Sequence, residues 1–118
     1  MLLLRCDITD SNLVSIAMDS CIEKFNSINA VLPAAGIVKD SYFIKVSKET
    51  GKVQDFMSQQ QFTDVLNVNL TGTFNTIQQA TIRMINNDWA GVVYLISSIN
   101  QSGQLGQLNY ASTKHALV

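Results

Sequence analysis

The sequence predicts an α/β fold built around a parallel sheet, because short apolar segments alternate with amphipathic helical stretches. Three apolar segments have the length of strands, and they cover Leu2–Cys6, Ala30–Leu32 and Gly91–Ile96. The stretches between them repeat apolar residues at helical spacing. With 118 residues, 47% hydrophobic and 14% charged, the composition is that of a globular chain that fits one domain.

The first predicted helix covers residues 11–25, where Leu13, Ala17 and Cys21 recur at four-residue spacing. Either Asp10 or Ser11 is expected as its N-cap. The strand that follows is ended by a proline. The pattern of residues 42–56 predicts a small hairpin, in which Gly51 supplies a positive φ.

A long helix is predicted to begin after Ser58, because Gln61 three residues later completes a capping-box pattern. Its apolar stripe consists of Phe62, Val65, Leu66, Phe74, Ile77, Thr81 and Met84. After the third strand, a loop rich in glycine and glutamine leads to a last helix that begins near Asn109.

Charge and cysteine content exclude several function classes. The formal net charge of −1 provides no excess of positive charge that would indicate binding to nucleic acid or to an anionic membrane surface. No apolar run approaches the ~20 residues that span a bilayer. Because Cys6 and Cys21 have neither CxxC spacing nor a histidine cluster nearby, we expect no disulfide, no metal site and a reducing, cytoplasmic setting.

Tyr110 and Lys114 are four residues apart on the last predicted helix, which places both side chains on one face. An ammonium group beside a phenol favours the phenolate, so such a tyrosine can act as general acid or base near neutral pH. The alternative is an ordinary tyrosine and lysine one helical turn apart. The pair alone does not decide between the two interpretations.

Ser98 lies at the carboxyl end of the third predicted strand, twelve residues before Tyr110. A hydroxyl there would project into the crevice where open α/β sheets bind ligands, and could hydrogen-bond a substrate carbonyl oxygen. The alternative is a serine in an ordinary strand-ending turn.

Taken together, the segments Ile96–Asn100 and Gly106–Lys114 resemble the active-site segment of short-chain dehydrogenases/reductases. The Gly-Gln-x-Asn-Tyr form is similar to the branch of 3-oxoacyl-carrier-protein and acetoacetyl-CoA reductases. Three further motifs occur in family order. Asp7-Ile8 resembles the pair that contacts adenine, Pro33–Gly36 the Asn-Asn-Ala-Gly turn, and Val68–Phe74 the segment whose asparagine completes the catalytic tetrad.

The resemblance implies roles for four catalytic residues. Tyr110 would donate or accept the proton and Ser98 would orient the substrate oxygen. Lys114 would favour the phenolate and hold the nicotinamide ribose, while Asn69 would anchor a water in a proton relay. The implied cofactor is NAD or NADP, and the sequence does not indicate which of the two. The implied cofactor-binding residues are Asp7, Ile8, Ala34, Ala35, Gly36, Asn69, Tyr110 and Lys114.

Several departures from the family pattern matter. Pro33–Gly36 lacks the two amide side chains that brace the family's turn, so we expect weakened bracing while Gly36 still permits close approach of the backbone. The loop before Tyr110 is one residue short, which leaves open whether Ser97 or Ser98 faces the substrate; the motif favours Ser98. The hairpin at 42–56 is longer than the corresponding segment in the branch of the family that the sequence resembles most.

The family's glycine-rich dinucleotide turn, Thr-Gly-x-x-x-Gly-x-Gly, does not occur in the 118 residues. The resemblance therefore implies one incomplete domain over 1–118, a partial Rossmann-like, doubly wound sheet with strands three to five and without the first two and the last. The third strand, Leu2–Cys6, would lack a neighbour. We expect weak binding of NADH or NADPH and marginal stability for this chain, which cofactor titration tests.

The leading functional hypothesis is an NAD(P)-dependent reductase that interconverts a ketone and a secondary alcohol, with a 3-oxoacyl thioester as the substrate class. The alternatives are a dehydrogenase of another alcohol and a catalytically inactive fragment or interaction module. The expected partners are a small carbonyl or alcohol substrate and, for the full-length form, further copies in a homodimer or homotetramer. Nucleic acid and membrane are not expected partners.

Overall fold

The computed structural model describes all residues from 1 to 118 and confirms the predicted α/β class. The residues form two compact units, one of 1–35 with 71–96 and the other of 36–70 with 97–118. No helix in the structure combines the length and the apolar character needed to cross a bilayer.

In the first unit, helix α1 covers Ser11–Phe25, as predicted. The side chain of Asp10 accepts hydrogen bonds from the backbone N–H groups of Asn12 and Leu13, so Asp10 is the N-cap. The helix ends at Asn26, which adopts the left-handed conformation with φ 69°. Local capping signals therefore fix both ends of this helix.

The first unit also contains a two-stranded parallel sheet. Strand β1 (Ala30–Val31) pairs with strand β4 (Val92–Val93), with Ala30 opposite Val92 and Val31 opposite Val93. Helix α3, which covers Thr73–Asn86, packs on this sheet. The core of the unit consists of Val31, Ala80 and Met84, with Met18 and Ile28 packed against it. The parallel pairing was predicted, but both strands are shorter than expected.

The predicted strand at Leu2–Cys6 is wrong, because these residues form no ladder in the structure. Leu3 and Leu4 are exposed rather than buried. A strand is defined by backbone hydrogen bonds to a neighbour, and no segment of this chain exchanges them with residues 2–6. The segment thus forms no strand, and its lack of a pairing neighbour agrees with the expectation from the sequence.

Arg83 on α3 links this helix to α1 through hydrogen bonds and an ion pair. Its guanidinium donates to the backbone oxygen of Ser15 at 3.1 Å and to the Ser15 hydroxyl at 2.9 Å. It also forms an ion pair with Asp19. Because the arginine side chain is largely buried and the aspartate exposed, the bonds to Ser15 carry more of the link than the ion pair.

In the second unit, strands β2 (Ile44–Val46) and β3 (Val53–Phe56) form the predicted hairpin. They pair antiparallel, with Ile44 opposite Phe56, and Gly51 has φ +67° in the turn. The strands are again shorter than expected. The apolar residues of the hairpin remain more than half exposed.

Helices α2 (Gln59–Leu66) and α4 (Leu108–His115) pack together in the second unit. The capping box before α2 is confirmed, since the Ser58 hydroxyl accepts from Gln61 N–H and the Gln61 side chain accepts from Ser58 N–H. A short 3₁₀ turn at Ile99–Ser102 precedes α4.

The long helix predicted after Ser58 is interrupted. A π-helical segment covers Asn67–Gly72, after which the chain continues into α3. The extra residue per turn rotates the following positions away from a regular helical stripe. Val65, which precedes this segment, is buried as expected, whereas Phe74, which follows it, is 57% exposed, so the assignment of Phe74 to the stripe is wrong.

Candidate active site

Helix α4 holds Tyr110 and Lys114 on one face. The Lys114 ammonium nitrogen lies 5.6 Å from the centre of the Tyr110 ring. Lys114 is buried, with 9% of its surface exposed, and Tyr110 is half-buried. An ammonium at this distance from an aromatic face is attracted to it, and more strongly when it is shielded from water. The two side chains are therefore held close together, as the four-residue spacing predicted.

Ser97 and Ser98 make different hydrogen bonds. The Ser97 hydroxyl donates to the backbone oxygen of Lys114 at 2.7 Å and contacts the side-chain oxygen of Gln101 at 3.0 Å. The Ser98 hydroxyl accepts from Asn100 N–H at 3.2 Å, which caps the 3₁₀ turn. The proton of Ser98 makes no hydrogen bond within the chain, whereas Ser97 is occupied by α4.

Asn69 lies in the π-helical segment and is 1% exposed. Its oxygen accepts from Ile37 N–H at 2.8 Å, and its nitrogen donates to the Ile37 oxygen at 2.9 Å. The same nitrogen donates to the Thr113 hydroxyl at 3.4 Å. A buried amide needs such partners. Ile37 and Thr113 are two such partners.

Asn69 also explains how the turn at Gly36 is braced without the family's amide side chains. A Cβ added to Gly36 would lie 3.4 Å from the Asn69 oxygen, so the amide packs closely on this glycine. Its two hydrogen bonds to Ile37 hold the next residue of the turn. Bracing therefore comes from the π-helical segment and compensates for the missing amides.

Asn109 and Gln107 make side-chain hydrogen bonds that the sequence did not predict. Asn109 is fully buried, and its amide donates to the backbone oxygens of Lys39 and Gln61 at 2.9 and 3.2 Å. Its oxygen accepts from Tyr110 N–H at 2.8 Å. Gln107 joins the side chains of Asp40 and Asn100. The signals for these residues were their places in the Gly-Gln-x-Asn-Tyr motif and, for Asn109, the predicted start of the last helix.

The other predicted cofactor residues, Asp7, Ile8, Ala34 and Ala35, belong to the first unit. The N–H and hydroxyl of Thr9 donate to Asp7 at 2.9 and 2.8 Å, which holds the pKa of this carboxyl below its ordinary value. Ala34 and Ala35 are exposed. In contrast, Gly36, Asn69, Tyr110 and Lys114 all belong to the second unit.

Both cysteines are free thiols of intermediate exposure. Burial, and then the charges of Asp7 and Asp10, raise the pKa of the Cys6 thiol. A raised pKa lowers the thiolate fraction at neutral pH, which makes this cysteine a poor nucleophile. No three histidine, cysteine or acidic residues gather as a candidate metal centre.

The sequence matches the family model described as short chain dehydrogenase over residues 1–118. The chain belongs to the short-chain dehydrogenase family. Among curated family members, the 3-oxoacyl-[acyl-carrier-protein] reductase FabG of Staphylococcus aureus is 27% identical over 115 residues, which are 98% of this chain and 42% of that protein. The corresponding reductase MabA of Mycobacterium avium is 31% identical over 114 residues, with 97% and 40% coverage.

A solved structure titled "ElxO with NADP Bound" has the same fold, with a TM-score of 0.79 over 96% of this chain and 42% of that one. Its sequence identity is 24%, so the likeness concerns the fold alone. This chain therefore spans about two fifths of the length of the short-chain dehydrogenases that it matches.

Proposed function

We propose that this chain carries the catalytic group of an NAD(P)-dependent oxidoreductase that interconverts a ketone and a secondary alcohol. The observation that carries the proposal is the Tyr110–Lys114 pair, held on one face of α4 with the ammonium 5.6 Å from the ring centre. Asn69 and Ser97 bond the adjoining segments to the same helix. The catalytic group therefore lies on a helix that is hydrogen-bonded to neighbouring segments. General acid–base chemistry requires such a fixed position of the proton donor.

The residues present fit the nicotinamide end of such a cofactor. Tyr110 and Lys114 offer a phenol and an ammonium group that can bind the ribose hydroxyls, and Gly36 is exposed with no side chain to block close approach. When bound, the reduced nicotinamide supplies a hydride, with its electron pair, to the substrate carbonyl carbon. Asp7 and Ile8 are the residues that we assign to the adenine end.

In this mechanism the Ser98 hydroxyl, whose proton is unused within the chain, donates to the carbonyl oxygen and orients it. The Tyr110 phenol then donates its proton to that oxygen, which completes the alcohol. The Lys114 ammonium stabilises the resulting phenolate, and solvent returns the proton through the Asn69–Lys114 side of the site. Oxidation of the alcohol follows the same steps in reverse.

Our proposed substrate class is a 3-oxoacyl thioester, supported by the relatives whose names specify 3-oxoacyl-carrier-protein reduction. Another alcohol is the alternative within the family. Assembly of the complete gene product as a homodimer or homotetramer is also a proposal. Exposed apolar residues on α3, among them Phe74, Ile82 and Ile85, support it because an apolar helix face is a common subunit contact. A cytoplasmic location stays a prediction from the cysteines.

The test is a Tyr110→Phe variant of the complete gene product, which sequencing on both sides of this reading frame defines. We expect kcat for NAD(P)H-dependent reduction of an acetoacetyl thioester to fall at least about 100-fold, because the proton donor is lost. Cofactor binding should change little. Tyr94→Phe is the matched control, because Tyr94 is 55% exposed and is not one of the proposed catalytic residues.

Normal kcat in Tyr110→Phe would refute the assigned mechanism. Stop codons close to the reading frame, together with no turnover in the wild-type chain, would favour the alternative of a catalytically inactive interaction module. Turnover of simple secondary alcohols but not of 3-oxoacyl thioesters would move the substrate class while keeping the mechanism.

A further inference from the structure

Thr113 is a buried hydroxyl residue with two partners. It is 0% exposed, one residue before Lys114 and three after Tyr110. Its hydroxyl donates to the backbone oxygen of Tyr110 at 2.7 Å and accepts from the Asn69 amide at 3.4 Å. One hydroxyl thus joins the helical turn that carries the phenol to the amide in the π-helical segment.

The Asn69 amide is itself fixed on its other side. Both the N–H and the carbonyl of Ile37 bond to it, at 2.8 and 2.9 Å. Because only 1% of Asn69 is exposed, the amide cannot rotate without losing these hydrogen bonds. A hydroxyl that bonds to such an amide is held in turn, and so is the Tyr110 carbonyl that it contacts.

We propose that Thr113 is a positioning residue, which fixes the turn of α4 bearing Tyr110 against Asn69. The inference rests on the proposed function, because it assigns the position of the phenol to a third side chain. It also explains the residue type. A threonine offers both a donor and an acceptor here, and its β-branched methyl restricts rotation about χ1, which keeps the hydroxyl between its two partners.

The competing explanation is a purely structural hydroxyl. Serine and threonine in helices often donate to a carbonyl three or four residues earlier, and such a bond needs no function. The bond from Asn69 separates the two explanations, since a hydroxyl serving its own helix alone would not require a second partner 44 residues away in the chain. A structural role predicts an effect on stability only.

The test compares Thr113→Val, which keeps the shape but removes the hydroxyl, with Thr113→Ser, which keeps the hydroxyl. In the complete gene product we expect Thr113→Val to lower kcat about tenfold, because a hydrogen bond that positions Tyr110 is lost. KM should be nearly unchanged. The pH profile of kcat should also shift. Thr113→Ser should restore both. Ser112→Ala is the matched control, because that exposed hydroxyl bonds only to Leu108 within the helix.

A readout without turnover uses ¹⁵N- and ¹³C-labelled chain of 118 residues. Removal of the hydroxyl should shift the side-chain amide signals of Asn69 and the ring signals of Tyr110 together, whereas Thr113→Ser should leave both near their wild-type positions. Should Thr113→Val not fold, Thr113→Ala removes the same hydroxyl in less space and takes its place.

Wild-type kcat and unshifted Tyr110 signals in a folded Thr113→Val protein would overturn the inference, even if its stability fell. That outcome leaves the proposed function intact, provided that Tyr110→Phe abolishes turnover. Conversely, a wild type without turnover contradicts the proposed function, and the Asn69 and Tyr110 signals then decide whether Thr113 positions the tyrosine.

Discussion

The Ser97 hydroxyl donates to the backbone carbonyl of Lys114 at 2.7 Å, across 17 residues of chain. The last carbonyls of a helix have no partner within it, and α4 ends at the next residue, His115. Ser97 therefore satisfies a terminal carbonyl of the helix that bears Tyr110 and Lys114. Because Ser98 is its neighbour, the same bond ties the segment of Ser98 to that helix.

Replacing Ser97 by alanine should lower the free energy of unfolding by about 1 kcal/mol, since the partly buried hydrogen bond to the Lys114 carbonyl is lost. Urea unfolding followed by circular dichroism measures the change. In Ser112→Ala, where an exposed hydroxyl within α4 is removed, the free energy should stay within about 0.5 kcal/mol of wild type. Equal stability of the Ser97 and Ser112 variants would contradict a capping role for Ser97.

Gly72 allows the end of the π-helical segment to approach Ile8. A Cβ at this glycine would lie 2.5 Å from Cδ1 and 2.6 Å from Cγ1 of Ile8, closer than real atoms come. Gly72→Ala should therefore cost about 1–3 kcal/mol of stability, although alanine is otherwise the better helix residue. In an Ile8→Ala background only the Ile8 Cβ remains, and the added methyl group should cost nothing or stabilise.

Urea unfolding of the wild type, the two single variants and the double variant closes the cycle. Strictly additive changes in the unfolding free energy would show that Gly72 and Ile8 do not touch in solution. The outcome also bears on the proposed cofactor site, since Ile8 is one of the two residues assigned to the adenine end of the cofactor.

Local signals in the sequence predicted local structure well. Asp10 caps α1, Ser58 and Gln61 form a capping box, and Gly51 turns the hairpin with a positive φ. Each of these devices acts within a few residues, so its partners are visible in the sequence. Helices α1 and α2 consequently begin where the capping patterns indicate.

The remaining features depend on partners distant in the chain. Asn69 contacts Ile37 and Thr113, which are 32 and 44 residues away, and no periodicity shows that. The π-helical segment that buries Asn69 also breaks the regular period on which the stripe through Phe74 was based. Residue types and family order predicted which residues belong to the candidate site, whereas the hydrogen bonds of Thr113, Asn109 and Ser97 in this region are visible only in the fold.

Asp64 gives a pH dependence that can be measured. Hydrogen bonds from Lys39 and then Gln60 hold the pKa of its carboxyl below the ordinary value of about 4. The folded state therefore binds this proton less readily than the unfolded state. The resulting stabilisation is complete above the unfolded-state pKa, and it is lost as the pH falls through the lower, folded-state pKa.

The prediction is that the unfolding free energy of the wild type falls more steeply below about pH 4 than that of Asp64→Asn, which cannot ionise at this position. Lys39→Met should flatten the same part of the curve, because it removes the larger cause of the lowered pKa. Other carboxyl groups titrate in all three proteins, so only the difference between the curves reports on Asp64. Parallel curves from pH 6 to pH 2 would mean that the Lys39–Asp64 bond does not persist in solution, as is often found for exposed ion pairs.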